Sequence, residues 1–370
     1  MKKWLPTFLV YTTIITGTIL IISGCNSSKQ LVAPKKAKNV ILIIGDGMGL
    51  GQITGGMIAN GMKTELERFP ITGLHKSYAS DNLITDSAAG ATAFATGVKT
   101  YNGAIAVNPD TQAVYTLLEE AEAKNMPTGL VATSTIVHAT PASFIAHNKS
   151  RRNYEEIALD FLDTEVDYFV GGGKKFFDRR EDERNLIEEL KQKGYTMENF
   201  LEHDFSKATV TGENYGFLTA DKDPLPVSQG RAYLTDASMA GIEYLNHKSE
   251  DGFFLMIEGS QIDWGGHAND ESFIITEFKD FDKMLKPVID WAINDGNTLI
   301  VVTADHETGG FAIQSGSTRD TLVTAFTSDY HTGTMIPVFA IGPGSKSFSG
   351  IYENTAIYNK IRNAFGWVDQ

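Results

Sequence analysis

Six short apolar runs recur along this chain, at 40–44, 128–132, 168–170, 253–257, 299–302 and 338–341, and almost none alternates with polar residues. A strand with one face in water alternates; runs this apolar suit strands covered on both faces. Between them lie helical patterns at 114–123, 154–162, 183–193, 234–245, 273–293 and 355–365. Strand and helix in turn predict an α/β fold, a three-layer α/β/α sandwich around a central, largely parallel sheet. Residues 196–231 are less periodic and read as a small excursion, and 315–330 reads as a polar loop.

Composition sets few limits on such a fold. The chain has 370 residues, 42% of them hydrophobic, enough for one large domain with a well-buried core. Residues 1–24 stand apart: Lys2 and Lys3 precede an apolar run that ends at Ile22-Ser23-Gly24-Cys25, the pattern of a lipoprotein signal peptide. The competing reading, an N-terminal membrane anchor, fits the abrupt end at the cysteine less well. Residues 25–38 are polar and lysine-rich and read as a flexible tether, leaving 39–370 as the folded domain. Cys25 is the one cysteine, so the domain has no disulfide. The formal charge of -14 becomes about -16 without Lys2 and Lys3. A surface this acidic repels nucleic acid, and an anion site on it must be made locally positive.

One hydroxyl has an unusual setting. Asp86-Ser87 opens a small-residue segment, Ala88 to Thr96, that favours a helix, and Gly97 can supply the left-handed residue that closes it. A helix start gathers unpaired N–H groups, so a phosphate on Ser87 would be held there. Taken alone, Ser87 is better explained as an ordinary helix cap.

The acidic residues sharpen the picture. Asp46, Glu258 and Asp305 each follow an apolar run, and in open α/β sheets ligands bind beyond the carboxyl ends of the strands. Histidines accompany them: His306 adjoins Asp305, His267 lies four residues after Asp263, and His331 precedes Thr332-Gly333. Carboxylate with imidazole suits zinc. His75, His147, His203 and His247 read as surface or core residues, and His138 stays open between the two roles. His306-Glu307-Thr308-Gly309-Gly310 lacks the second histidine of a His-Glu-x-x-His protease helix, and no Gly-x-Ser-x-Gly elbow surrounds Ser87. Gly171-Gly172-Gly173-Lys174-Lys175 lacks the spacing of a phosphate loop and reads as a turn after a strand.

Residues 85–93, Thr-Asp-Ser-Ala-Ala-Gly-Ala-Thr-Ala, and 98–103, Val-Lys-Thr-Tyr-Asn-Gly, resemble the nucleophile signature of the bacterial alkaline phosphatases, and the likeness extends from Asn39 nearly to the C-terminus. By that resemblance Ser87 is the residue phosphorylated during turnover, and Arg151, rather than the adjacent Arg152, grips the phosphate. The resemblance also distributes metals: Asp263, His267 and His331 at one zinc, Asp46, Asp305 and His306 at a second, and Asp46, Thr140 and Glu258 at a third ion, usually magnesium. Two departures bear on this. His138 stands where many members have aspartate, which shifts the third site toward zinc or cobalt, and Trp264 stands where a lysine is common. A serine hydroxyl needs a base or a metal to attack at neutral pH, and two zinc ions about 4 Å apart would supply that.

The resemblance further implies small phosphate monoesters as substrates and a homodimer; contacts that fall mostly on the phosphoryl group imply broad specificity, and the signal-peptide pattern implies a membrane partner only through a lipid on Cys25, at the periplasmic or outward side of the cell envelope. A phosphodiesterase or related hydrolase of the superfamily, and a lipid-anchored metal- or phosphate-binding protein without turnover, are the competing readings. The sulfatase pattern Cys/Ser-x-Pro-x-Arg is absent at Ser87.

Overall fold

Strand Asn39–Gly45 is buried at every position, and its alternate side chains enter two different cores. Val40, Leu42 and Ile44 pack with helices Ser87–Thr96, Leu117–Glu122, Ala139–Ile145, Tyr154–Asp163, Leu186–Gln192 and Ala356–Phe365. Ile41 and Ile43 pack with helices Leu50–Ala59, Leu234–Lys248, Gln261–His267 and Glu271–Asp295. Such an arrangement is a three-layer sandwich, as expected, and each Ile or Leu so buried contributes about 1.5–3 kcal/mol.

The computed structural model describes residues 1–4 and 36–367, and 36–367 cohere as one unit. The expected signal peptide, Cys25 and most of the tether lie outside the described residues. Among the described residues no helix is long and apolar enough to cross a membrane.

Ten strands form the sheet, in the order Gly350–Glu353, Ile71–Lys76, Ile336–Ile341, Thr298–Thr303, Asn39–Gly45, Phe254–Gly259, Thr128–Thr135, Tyr168–Gly172, Asn214–Leu218, Tyr195–Asn199. Only Ile336–Ile341 runs against the rest, antiparallel to both neighbours. It follows Thr298–Thr303 through an excursion that contains no crossover helix, so the chain turns back instead of returning to the starting edge. Residues 196–231, read as an excursion, contribute the last two strands at one end of the sheet, of which Tyr195–Asn199 is the edge, and Thr324–Ala325 in the polar loop pairs with Ala312–Ile313. The long helix is two residues longer at each end than its apolar period, because Asp270 caps it through the Phe273 N–H (3.0 Å) and Gly296, at φ 67°, closes it.

Candidate active site

Four adjacent strands deliver the acidic and imidazole groups to one rim. Asp46 follows Asn39–Gly45, Asp305 follows Thr298–Thr303, and His138 and Thr140 follow Thr128–Thr135. Glu258 lies inside Phe254–Gly259, paired with Ile44 on one side and Ala132 on the other, rather than just beyond the strand. Because these strands are parallel and in register, their carboxyl ends place the side chains within one crevice. Gly47 keeps Asp46 close to its neighbours: at φ 70°, an added Cβ would lie 2.7 Å from the Asp263 Cα and the Thr308 hydroxyl.

Ser87 is not the helix cap. Asp86 is, its carboxylate accepting the Ala89 N–H at 3.0 Å, and Gly97 closes the helix at φ 73°. Ser87 therefore begins the first turn with its hydroxyl unclaimed by capping, 3.3 Å from His306 Nε2. The helix can approach this closely because Gly90 faces Asp305, where a Cβ would meet the Asp305 Cβ at 2.9 Å.

Three groups of side chains bring metal-binding atoms within 4.8 Å of one another: Asp263, His267 and His331; Asp46, Asp263 and His306; and Asp46, His138 and Glu258. Asp263 thus belongs to two of them. Asp305 joins the second through Oδ2, 3.2 Å from His306 Nε2, while its Oδ1 accepts the N–H groups of Gly47 and His306. The Thr140 hydroxyl lies buried beside Glu258. His138 therefore stands with Asp46 and Glu258, in the position sequence left open.

The imidazoles are pre-aimed by their other nitrogens. Nδ1 of His331 meets the Thr85 carbonyl at 2.8 Å and Nδ1 of His267 meets the Asp329 carbonyl at 2.7 Å, so the two Nε2 atoms face each other 3.1 Å apart. His306 Nδ1 meets the Thr308 hydroxyl, which also donates to Asp263. Neither carbonyl partner nor Thr308 was foreseeable from residue type, although Thr308 lies only two residues beyond His306.

Electrostatics at the rim are unresolved by the protein alone. Burial, then Asp305, Asp263 and Glu258, pushes Asp46 well above the ordinary carboxylate range, and burial raises Glu258 to about 7. Burial also drives His306 well below its ordinary value and His138 to about 3, which leaves both rings neutral, as metal ligation requires. Both Asp46 oxygens, Asp305 Oδ2, Glu258 Oε1, the Thr140 hydroxyl and His138 Nδ1 have no hydrogen-bond partner. Oxygen and imidazole donors that are buried, convergent and unpaired fit divalent cations.

Arg151 reaches the same crevice. Its Nη1 donates to Asp86 Oδ2 at 3.0 Å and its Nη2 lies 3.3 Å from His138 Nε2, whereas Arg152 is exposed at the mouth. Ser87, Arg151, Asp263, His267 and His331 line a pocket of about 360 Å³ together with three aromatic residues that the sequence reading passed over or assigned no wall, Tyr154, Trp264 and Tyr330. Tyr330 stacks on His331 with ring centroids 4.3 Å apart, in a column that continues to His306 at 3.5 Å. His75, by contrast, is fully buried away from this pocket with Nε2 on the Ala304 carbonyl, a core role as expected.

Residues 37–324 match the model of the alkaline phosphatase family. Alkaline phosphatase 4 of Bacillus subtilis is 34% identical, the match covering 97% of this chain and 96% of the relative. Alkaline phosphatase of Escherichia coli K12 is 30% identical over 91% of this chain and 88% of its own. The solved structure of alkaline phosphatase from the Antarctic bacterium TAB5 is 43% identical and superimposes with a TM-score of 0.86, covering 91% of this chain and all of the other. A histidine-to-glutamate variant of that enzyme has been solved with Mg bound in its M3 site. This chain belongs to the alkaline phosphatase family and hydrolyses phosphate monoesters at a metal site.

Proposed function

We propose that hydrolysis proceeds through a phosphoserine on Ser87, at a site holding two zinc ions and a third cation. Asp263, His267 and His331 would hold one zinc and Asp46, Asp305 and His306 the second; Asp46, Thr140 and Glu258, with His138, would hold the third. Magnesium is the ion the family resemblance implies for the third site, and the relative solved with Mg there is a variant with a histidine replaced by glutamate; the imidazole of His138 makes zinc or cobalt the alternative. When bound, these ions supply positive charge that stabilises a serine alkoxide and the oxygens of the transferring phosphoryl group.

The chain's own residues do the rest. Ser87 Oγ forms the new bond to phosphorus while the bond from phosphorus to the ester oxygen breaks; the alcohol leaves with that electron pair and gains a proton. Water then attacks the phosphoserine, restoring the hydroxyl and releasing inorganic phosphate. Arg151, held by Asp86, offers two N–H groups to phosphoryl oxygens and keeps the attack in line. The observation carrying this reading is the Ser87 hydroxyl, 3.3 Å from His306 Nε2 among unpaired carboxylates.

Incubation of Ser87→Ala with labelled phosphate at low pH tests it. The native protein should retain label in acid-quenched chain, and the variant should retain none while keeping its metal content. Label on the alanine variant would remove Ser87 as nucleophile.

We also propose, from the sequence and the family, that Cys25 carries a lipid holding the enzyme at the cell envelope and that the chain forms a homodimer. Loss of labelled palmitate incorporation in Cys25→Ser and a dimer mass in sedimentation are the results expected.

A further inference from the structure

We propose that a second cavity, remote from the catalytic chemistry, binds an organic cation: an ammonium group carried on an aromatic body. This cavity is about 700 Å³, larger than the active-site pocket, and shares none of that pocket's lining residues. It lies where the penultimate strand Asn214–Leu218 and the loop 219–233 meet the start of helix Leu234–Lys248. A volume of this size suits a small molecule with one or two rings.

Its walls and its rim differ in chemistry. Phe205 and Phe217, packed edge to face with centroids 5.2 Å apart, make an apolar floor, with Tyr233, whose ring has the Arg231 guanidinium 5.9 Å from its centroid, on one wall and the exposed Leu225 at the mouth. Asp204, Asp223 and Asp236 stand exposed around it and form no ion pair among the described residues. Of the cations present, Arg231 is spent on Glu277 and Asp280 with its side chain 2% exposed, so only Lys222 opposes those three carboxylates. Aromatic walls beneath a net negative rim attract an ammonium in two ways, by the ring quadrupole and by charge, and disfavour an anion. The chain's formal charge of -14 adds to the same preference.

The loop that shapes this cavity is fixed, not collapsed. Asp223 accepts the Thr135 N–H at 2.8 Å, the Pro224 carbonyl accepts Gln261 Nε2 at 3.0 Å, and Gly173 N–H donates to the Lys222 carbonyl at 2.8 Å. The Tyr233 hydroxyl donates to the Ala132 carbonyl at 2.7 Å, which fixes the ring against the sheet. A cavity whose walls are hydrogen-bonded open is preorganised for an occupant.

Calorimetry on the metal-loaded protein with 2-naphthylmethylammonium, its neutral alcohol 2-naphthylmethanol, and 2-naphthoate decides the matter. The ammonium should bind about tenfold more tightly than the alcohol, and the carboxylate should not bind. Saturating inorganic phosphate should leave ammonium binding unchanged, since the two pockets share no residue. Leu225→Arg, at a position 58% exposed that tolerates a long side chain, should abolish binding, and Asp204→Asn with Asp236→Asn should weaken it about tenfold. Equal affinity for the alcohol, displacement by phosphate, or unchanged binding to Leu225→Arg would each overturn the proposal.

Discussion

Two clusters of buried carboxylates in this molecule are balanced in opposite ways. Around Arg231, the guanidinium pairs with Glu277 and, at 3.1 Å, with Asp280, and all three side chains are under 10% exposed. Burial raises both carboxylates from their ordinary range, and Arg231 pulls them back. At the catalytic rim, Asp46, Asp305, Glu258 and Asp263 crowd together, and the nearest guanidinium, Arg151, is already bound to Asp86. One cluster carries its own counter-charge and fastens the loop 224–233 to a helix; the other is incomplete without ions. Burial alone therefore does not mark a functional site in this chain. Unpaired carboxylate oxygens from several residues converging on one crevice do.

The contrast breaks most sharply under chelation. Stripping divalent cations should reduce monoester hydrolysis to background and lower stability by about 4 kcal/mol for each ion that had been present at a thousand times its dissociation constant. Calorimetric scans with and without chelator measure it, and an unchanged midpoint would show that the rim tolerates its charge unaided. Asp46→Asn adds a reversal of sign. In metal-loaded protein the substitution should destabilise, whereas after chelation it should stabilise, by roughly 1–3 kcal/mol, because it removes one of several repelling carboxyls.

Arg231→Met should do the reverse of chelation. It strands Glu277 and Asp280 in the interior, a loss of about 3–5 kcal/mol in denaturant unfolding, while metal content and turnover below the transition stay as before. Metal loss in this variant would mean that the two clusters are coupled rather than separate.

How far these features were legible in the sequence follows the range of the forces involved. The strands that carry Asp46, Glu258 and Asp305 were read from unbroken apolar runs, since burial on both faces leaves a local pattern. Strand Ile71–Lys76, whose burial alternates, and the short edge strand Gly350–Glu353 left no such run and were missed. The ligand residues could be named singly, and the family resemblance grouped them. What no local pattern held was the second layer of contacts. His331 depends on the carbonyl of Thr85, 246 positions away, and Glu307, which receives Gln52 Nε2 at 2.6 Å and the Phe311 N–H at 3.0 Å, fixes the loop after His306. Backbone acceptors carry no residue signature, so only the fold reveals them.

A third carboxylate sharpens the comparison at the smallest scale. Glu122 lies near the opposite end of the strand that leads to His138, accepting the Thr128 hydroxyl at 3.0 Å and the Glu165 N–H at 3.3 Å, with no cation paired to it among the described residues. Burial raises it to about 7, only partly opposed by the Thr128 hydrogen bond. Because the folded state holds this proton more tightly than the unfolded chain, Glu122 contributes stability that is fully present below the ordinary glutamate range and is lost as pH rises through about 7. Glu122→Gln removes the titration. Its stability relative to the native chain should therefore improve between pH 5 and pH 8, by on the order of 1 kcal/mol, even where the amide fits the two donors less well. Urea unfolding at the two pH values measures the change. A difference that does not move with pH would place Glu122 with Glu277, a buried acid whose charge the fold already accommodates, and would leave the catalytic rim as the one place among these three where burial and ionisation are in conflict.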